Sequence, residues 1–203
     1  MRTPVLRPLS EYPCLRLWCS VASSVPSFLA TQISISQLLN IWKLVLNTQK
    51  NARLGIIGNG DKKFELFLKE KARKLQIDHQ LDWLGYVNNE DKYKLYLQSK
   101  FLVHSTIYDN NGMVAAEALC SGLPVIMYDL DKLKFYSDGC LKIKIGDQAQ
   151  YAREILRLIK DDDYFNKIKP SSQTVENLKN LWKWENRAGL FKEFLTNYEK
   201  NTA

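Results

Sequence analysis

The residues best suited to chemistry in this chain are two carboxylates and a glycine: Asp109, Glu117 and, between them, Gly112. They sit inside the stretch Ser105-Thr-Ile-Tyr-Asp-Asn-Asn-Gly-Met-Val-Ala-Ala-Glu-Ala-Leu-Cys-Ser-Gly-Leu-Pro-Val-Ile-Met127, with seven residues separating the carboxylates. The pattern reads as strand end, loop, helix and short buried strand. A helix starting near Gly112 aims free N–H groups at the loop, which suits an anion such as a diphosphate. A carboxylate two turns away is poor at phosphate but accepts hydrogen bonds from sugar hydroxyls. Amides for an anion beside carboxylates for hydroxyls fit a sugar nucleotide. An ordinary loop–helix–strand unit would carry the same residue types, so the motif by itself is a hypothesis.

The elements that must position this stretch follow from the patterning. Ser36 can cap a helix to about residue 47, with Leu38, Leu39, Trp42, Val45 and Leu46 apolar. Residues 53–57 form a buried strand running into Gly58-Asn59-Gly60-Asp61, followed by a helix over 62–75. Residues 81–84 make a strand that ends at Gly85, and Asn88 or Asn89 caps the next helix, with Glu90 and Asp91 complementing its dipole. Strands are expected at 101–104 and 124–128. Leu141, Ile143 and Ile145 alternate with Lys142 and Lys144, as in a strand near a sheet edge. Asp147 with Gln150 resembles a capping box for a helix to about Lys160. Strands alternating with helices imply an α/β fold, a Rossmann-like parallel sheet with helices on both faces. Ligands bind such sheets at the carboxyl ends of the strands. Gly58–Gly60, Gly85–Val87 and Asp109–Val114 all fall at such ends.

The first 32 residues differ in character. They contain no lysine, four of the six prolines, and Arg2, Arg7 and Arg16 as their only basic residues. The prolines would break most elements placed there, and Glu11 with the prolines argues against a signal peptide. The division expected is an atypical segment over 1–32, disordered or joined by a frame disruption in the coding DNA, and a domain over 33–203 that carries the candidate sugar-nucleotide site.

Length, 203 residues, allows a sizeable core. No apolar run is long enough to span a bilayer. Four cysteines lack paired short spacing and there are two histidines, so no metal site or disulfide framework is expected. The net charge of +7 is scattered. No zinc-finger spacing or aromatic RNA-binding motif appears, so nucleic acid is not an expected partner.

The stretch from Asp109 to Val125 resembles the donor site of family 4 glycosyltransferases. Glu117-Ala118 and Gly122-Leu-Pro-Val125 match the second half of the family's signature, while Asp109 stands where the family usually has Glu. Gly58-Asn59-Gly60-Asp61 looks like the family's Gly-x-Gly turn, Leu84-Gly85-Tyr86-Val87 like its loop near the nucleobase, and Trp182–Ala188 like its C-terminal Trp motif. The resemblance covers about residues 36–198 and implies the C-terminal, nucleotide-sugar-binding half of a GT-B fold, with a last helix over about 174–199. The implied activity is retaining, metal-independent transfer of a sugar from a nucleotide-diphosphate sugar to an acceptor hydroxyl.

By the same resemblance, Glu117 would hold the ribose hydroxyls and Asp109 the transferred sugar. Asn110, Asn111, Gly112, Met113 and Val114 would offer amides to sugar and phosphate. Gly58, Asn59 and Gly60 would let the donor approach, and Tyr86 and Val87 would line the base pocket. Each has a structural alternative: Asp109 as a turn or cap residue, Glu117 as a helix surface carboxylate, Tyr86 as core. His104 stands where the family often has Pro and is read as structural; Ser105 and Thr106 lie within reach of the donor. No cofactor is expected beyond the donor substrate. The implied partners are a nucleotide sugar, an acceptor glycan or lipid-linked sugar, and a separate N-terminal half. The expected location is cytoplasmic, with peripheral contact to the inner membrane face left open. The family's Arg and Lys-Gly that clamp the diphosphate have no match: Ile33-Ser34 stand in that place, and no Arg or Lys lies between Arg16 and Lys43. A non-catalytic remnant that binds nucleotide or protein is therefore the alternative.

Overall fold

The computed structural model describes the backbone of residues 16–20, 28–189 and 192, with side chains from residue 33. Six parallel strands form one sheet: β1 (Arg16–Ser20), β2 (Arg53–Ile57), β3 (Leu81–Gly85), β4 (Leu102–His104), β5 (Val125–Tyr128) and β6 (Cys140–Ile143), in the order β3-β2-β1-β4-β5-β6. Among the described residues the helices include α1 (Phe28–Thr48), α2 (Lys62–Lys74), α3 (Asn89–Leu97), α4 (Met113–Cys120), α5 (Gln148–Lys160), α6 (Asp162–Ile168) and α7 (Ser172–Trp182). A 3₁₀ turn, Asp131–Leu133, follows β5.

Successive residues of a strand point to opposite faces, and two apolar layers result. Val103, Ile126 and Tyr128 join Leu54 and Ile56 in a core with α1, α2 and α5. Leu102, Val125 and Met127 face the other way, onto α4, Tyr96 of α3 and Leu178 of α7. The strand order reverses between β1 and β4, so the crevice at their carboxyl ends is where such sheets take ligands.

The strands expected from β2 to β6 are present within a residue or two, and β6 is an edge strand, with β3 at the opposite edge. Three expectations are corrected. First, α1 begins at Phe28, not at Ser36. Ser36 lies within the helix, where its Oγ and carbonyl accept from Lys71 Nζ at 2.6 and 2.8 Å. Buried Ile35 extends the stripe of Leu38, Leu39, Trp42 and Val45 backwards, and tertiary packing outweighs the modest helix propensity of Ile33-Ser34-Ile35. The boundary expected after residue 32 thus falls inside α1. Second, residues 16–20 form β1, paired with β2 from Arg16↔Arg53 to Ser20↔Ile57 and with β4 at Trp18↔Leu102. Residues 1–15 and 21–27, most of the segment expected to stand apart, lie outside the described residues. Third, the C-terminal helix is not continuous. It breaks at Lys183, whose ψ is 133°, and helix resumes from residue 184. The expected run beyond 189, apart from residue 192, lies outside the described residues.

Candidate functional site

All strands being parallel, the loops after β2, β3 and β4 open on one rim. The first two are tied together: the Gly58 N–H donates to the Gly85 carbonyl at 2.8 Å, where the β2–β3 register shifts. Gly58 has a φ of 134°, which disfavours a side chain. Asn59 and Gly60 are exposed, and Asp61 caps α2 by accepting from the Lys63 and Phe64 amides. Tyr86 is 73% exposed, so its ring is not core. Val87 packs with Leu84 on Ile57 and Leu95.

The third loop is organised by Asp109. Its Oδ1 accepts from the amides of Asn111 (3.1 Å) and Gly112 (2.8 Å), and its Oδ2 lies 3.1 Å from His104 Nε2. Burial opposes its ionised form, but donation from His104 and the Gly112 amide outweighs this and holds the carboxyl below its ordinary range. The amides of Asn111 and Gly112 are therefore engaged within the loop, not turned to the rim. Beneath the loop, buried Tyr136 donates its hydroxyl to the carbonyls of Asn111 (3.0 Å) and Gly112 (3.3 Å). Asn110 is exposed, and its Oδ1 accepts from Lys132 Nζ at 2.7 Å. The same ammonium lies 5.2 Å over the Tyr108 ring.

Gly112 is the N-cap of α4, in the left-handed region with φ 58°, and no side chain caps the helix. The first-turn amides, those of Met113 and Val114 among them, carry the positive end of the helix dipole without a capping oxygen. Val114 is buried and Met113 is 44% exposed. One turn on, Glu117 pairs with Lys92 of α3, Oε1 to Nζ at 2.8 Å. The side chains of Lys92 and Glu117 are 13% and 25% exposed.

The two carboxylates thus flank one helix N-terminus, as their spacing suggests, each with a partner that spacing did not reveal. Lys92 reaches Glu117 from 25 residues away, while Lys132 and Tyr136 reach Asn110 and Gly112 from 22 and 24 residues away and His104 reaches Asp109 from five. Ser105 and Thr106 are engaged by the protein's own carbonyls. Ser105 is buried and donates to the Ser34 carbonyl at 3.4 Å, and Thr106 donates to the Tyr108 carbonyl. Ser34, where a diphosphate clamp would stand, is buried in α1 and accepts from the Ile107 amide at 3.1 Å. Among the described residues, no group of three or more His, Cys, Asp or Glu could hold a metal ion, and no helix is long and apolar enough to cross a membrane.

The sequence model of the family described as "Glycosyl transferases group 1" matches residues 28–175. The chain belongs to this family. An uncharacterized glycosyltransferase of Methanocaldococcus jannaschii is 32% identical over 99 residues, which are 49% of this chain and 25% of that protein. Sucrose-phosphate synthase from Thermosynechococcus elongatus superposes with a TM-score of 0.73 at 17% identity, over 92% of this chain and 47% of the other. Anabaena HepE, solved with UDP and glucose, also superposes with a TM-score of 0.73, at 14% identity over 92% of this chain and 50% of the other. These likenesses establish the fold, that of a GT-B glycosyltransferase half. The stretch that matches spans about a quarter of the curated relative and about half of each solved one.

Proposed function

We propose that this group 1 glycosyltransferase chain is the donor-binding part of a retaining, family 4-like enzyme, which moves a sugar from a nucleotide-diphosphate sugar to an acceptor hydroxyl. The observation that carries the reading is the start of α4: a helix without a capping side chain, with a carboxylate on either side, at the reversal of strand order. The diphosphate would lie over the Met113 and Val114 amides. Glu117 would share its oxygens between Lys92 and the ribose hydroxyls. Exposed Tyr86 and the Val87 backbone would meet the base, and Gly58–Gly60 would leave room for it. Asp109 Oδ2, with one lone pair still open, would accept from a hydroxyl of the sugar.

The diphosphate leaves with developing charge, and fixed donors aimed at that charge are what lower the barrier. The α4 amides would supply part of this. A separate N-terminal half would bring the acceptor, a glycan or a lipid-linked sugar, and further cations. No cofactor is assigned beyond the donor. The accompanying proposal for location is cytoplasmic, with any membrane contact made peripherally. A second reading, a non-catalytic nucleotide- or protein-binding remnant, is favoured by one observation: Ser34 is turned into the fold and not toward a phosphate.

Calorimetric titration with UDP, GDP and ADP tests the donor site. Saturable binding of at least one, with Kd below about 1 mM, is expected, and no binding of any refutes both nucleotide readings. Turnover with a separately supplied N-terminal half then divides them. Sugar transfer supports the enzyme, and binding without transfer supports the remnant.

A further inference from the structure

His104, at the end of β4, stands where the resembling family often has Pro, and Asp109, in the loop that follows, stands where it usually has Glu. Asp109 carries its carboxylate one methylene closer to the backbone than Glu would. The fold joins these departures in one hydrogen bond, His104 Nε2 to Asp109 Oδ2 at 3.1 Å. We infer that His104 is a positioning residue for the sugar end of the site: it holds Asp109 Oδ2 at the height from which a sugar hydroxyl is read. The inference rests on the donor-site reading above.

The geometry supports it in three ways. His104 closes β4 and is 6% exposed, so its ring is anchored at the end of a sheet strand. Asp109 Oδ1 is filled by two backbone amides, so rotation of the carboxylate is limited chiefly by what Oδ2 meets. An ionised carboxylate only accepts, so Nε2 must carry a proton to donate to Asp109 Oδ2. With the imidazole removed, Oδ2 would lose its partner among the described residues and the short side chain would have no second anchor. The nucleotide end, at Glu117 and Tyr86, is built from α3, α4 and the β3 loop and does not pass through His104.

Two measurements on the full chain test this. In the first, UDP and UDP-glucose are titrated against wild type, His104→Ala and His104→Gln. Gln offers an amide donor at a reach close to that of Nε2. His104→Ala is expected to weaken UDP-glucose about tenfold while UDP stays within about twofold, and His104→Gln to restore most of the loss. Equal weakening of both ligands, or no rescue by Gln, overturns the positioning role. If the wild type binds neither uridine ligand, the pair is replaced by the GDP or ADP counterpart that binds; absence of binding by all three counts against the donor-site reading itself, and the second measurement decides the positioning role without any ligand. Nitrogen chemical shifts of the His104 ring should report an Nε2-bound proton in the wild type, and Asp109→Ala should perturb it. A ring protonated at Nδ1 alone refutes the inference.

Discussion

Gly112→Ala probes the support beneath the donor loop. The residue has φ +58°, so any side chain costs about 1 kcal/mol from the left-handed backbone alone. A Cβ there would stand 2.8 Å from Tyr136 Cε2 and 3.1 Å from Leu133 Cδ2. The Tyr136 ring cannot simply withdraw. It is 2% exposed, and its hydroxyl is bound to the carbonyls of Asn111 and Gly112 itself. Overpacking of this kind adds about 1–3 kcal/mol, for a total of roughly 3 kcal/mol. Gly122→Ala is the control: φ is +74°, but nothing lies within 4 Å, so only the backbone cost of about 1 kcal/mol applies. Urea unfolding of the two variants should therefore differ by about 2 kcal/mol. With a slope of about 2 kcal/mol/M the midpoints separate by about 1 M. Equal midpoints would mean that Tyr136 does not brace the loop, and the account of its geometry would fail.

Two further predictions concern titration. Asp109 has its pKa depressed from 3.8, so its charged hydrogen bonds stabilise the fold fully above that value and the contribution fades as pH falls below it. The stability difference between wild type and Asp109→Asn, followed by denaturation from about pH 6 to about pH 3, should shrink toward the acid end; a difference that grows would contradict the assignment. Burial pushes the Cys140 thiol from 9.0 up to about 12. Thiolate falls about a thousandfold while its nucleophilicity rises about twentyfold, so alkylation near neutral pH should be roughly fifty times slower than for a free thiol. Peptide mapping after timed alkylation checks this, and a rate equal to that of the unfolded chain would refute it.

Much of the fold was legible because β2 to β6 and α2 to α5 follow hydrophobic period and turn chemistry. Asp61, Asn88 and Asp147 cap helices as their types suggest. The opening of the domain was not legible. Pro13 and Pro26 read as breakers, yet they flank β1 without interrupting it, and a five-residue strand gives little periodicity of its own. The site shows the same division. Asp109, Gly112 and Glu117 announce themselves by type and spacing along one short segment. The groups that brace this segment do not: Lys92 reaches Glu117, Lys132 reaches Asn110 and Tyr136 reaches Asn111 and Gly112 only because α3 packs beside α4 and the turn after β5 lies against the donor loop. A lysine among 29 basic residues, or a tyrosine among ten, carries no local signal of such a contact.

The central claim is that Glu117 reads the ribose of a nucleoside diphosphate bound over α4. It is tested most directly by a double cycle: wild type and Glu117→Ala, each titrated with UDP and with its 2′,3′-dideoxy analogue. Loss of the hydroxyls should cost the wild type about tenfold in affinity and the variant almost nothing, a coupling of about 1–2 kcal/mol. If the hydroxyls matter equally in both proteins, Glu117 does not touch the ribose and the donor site must be placed elsewhere.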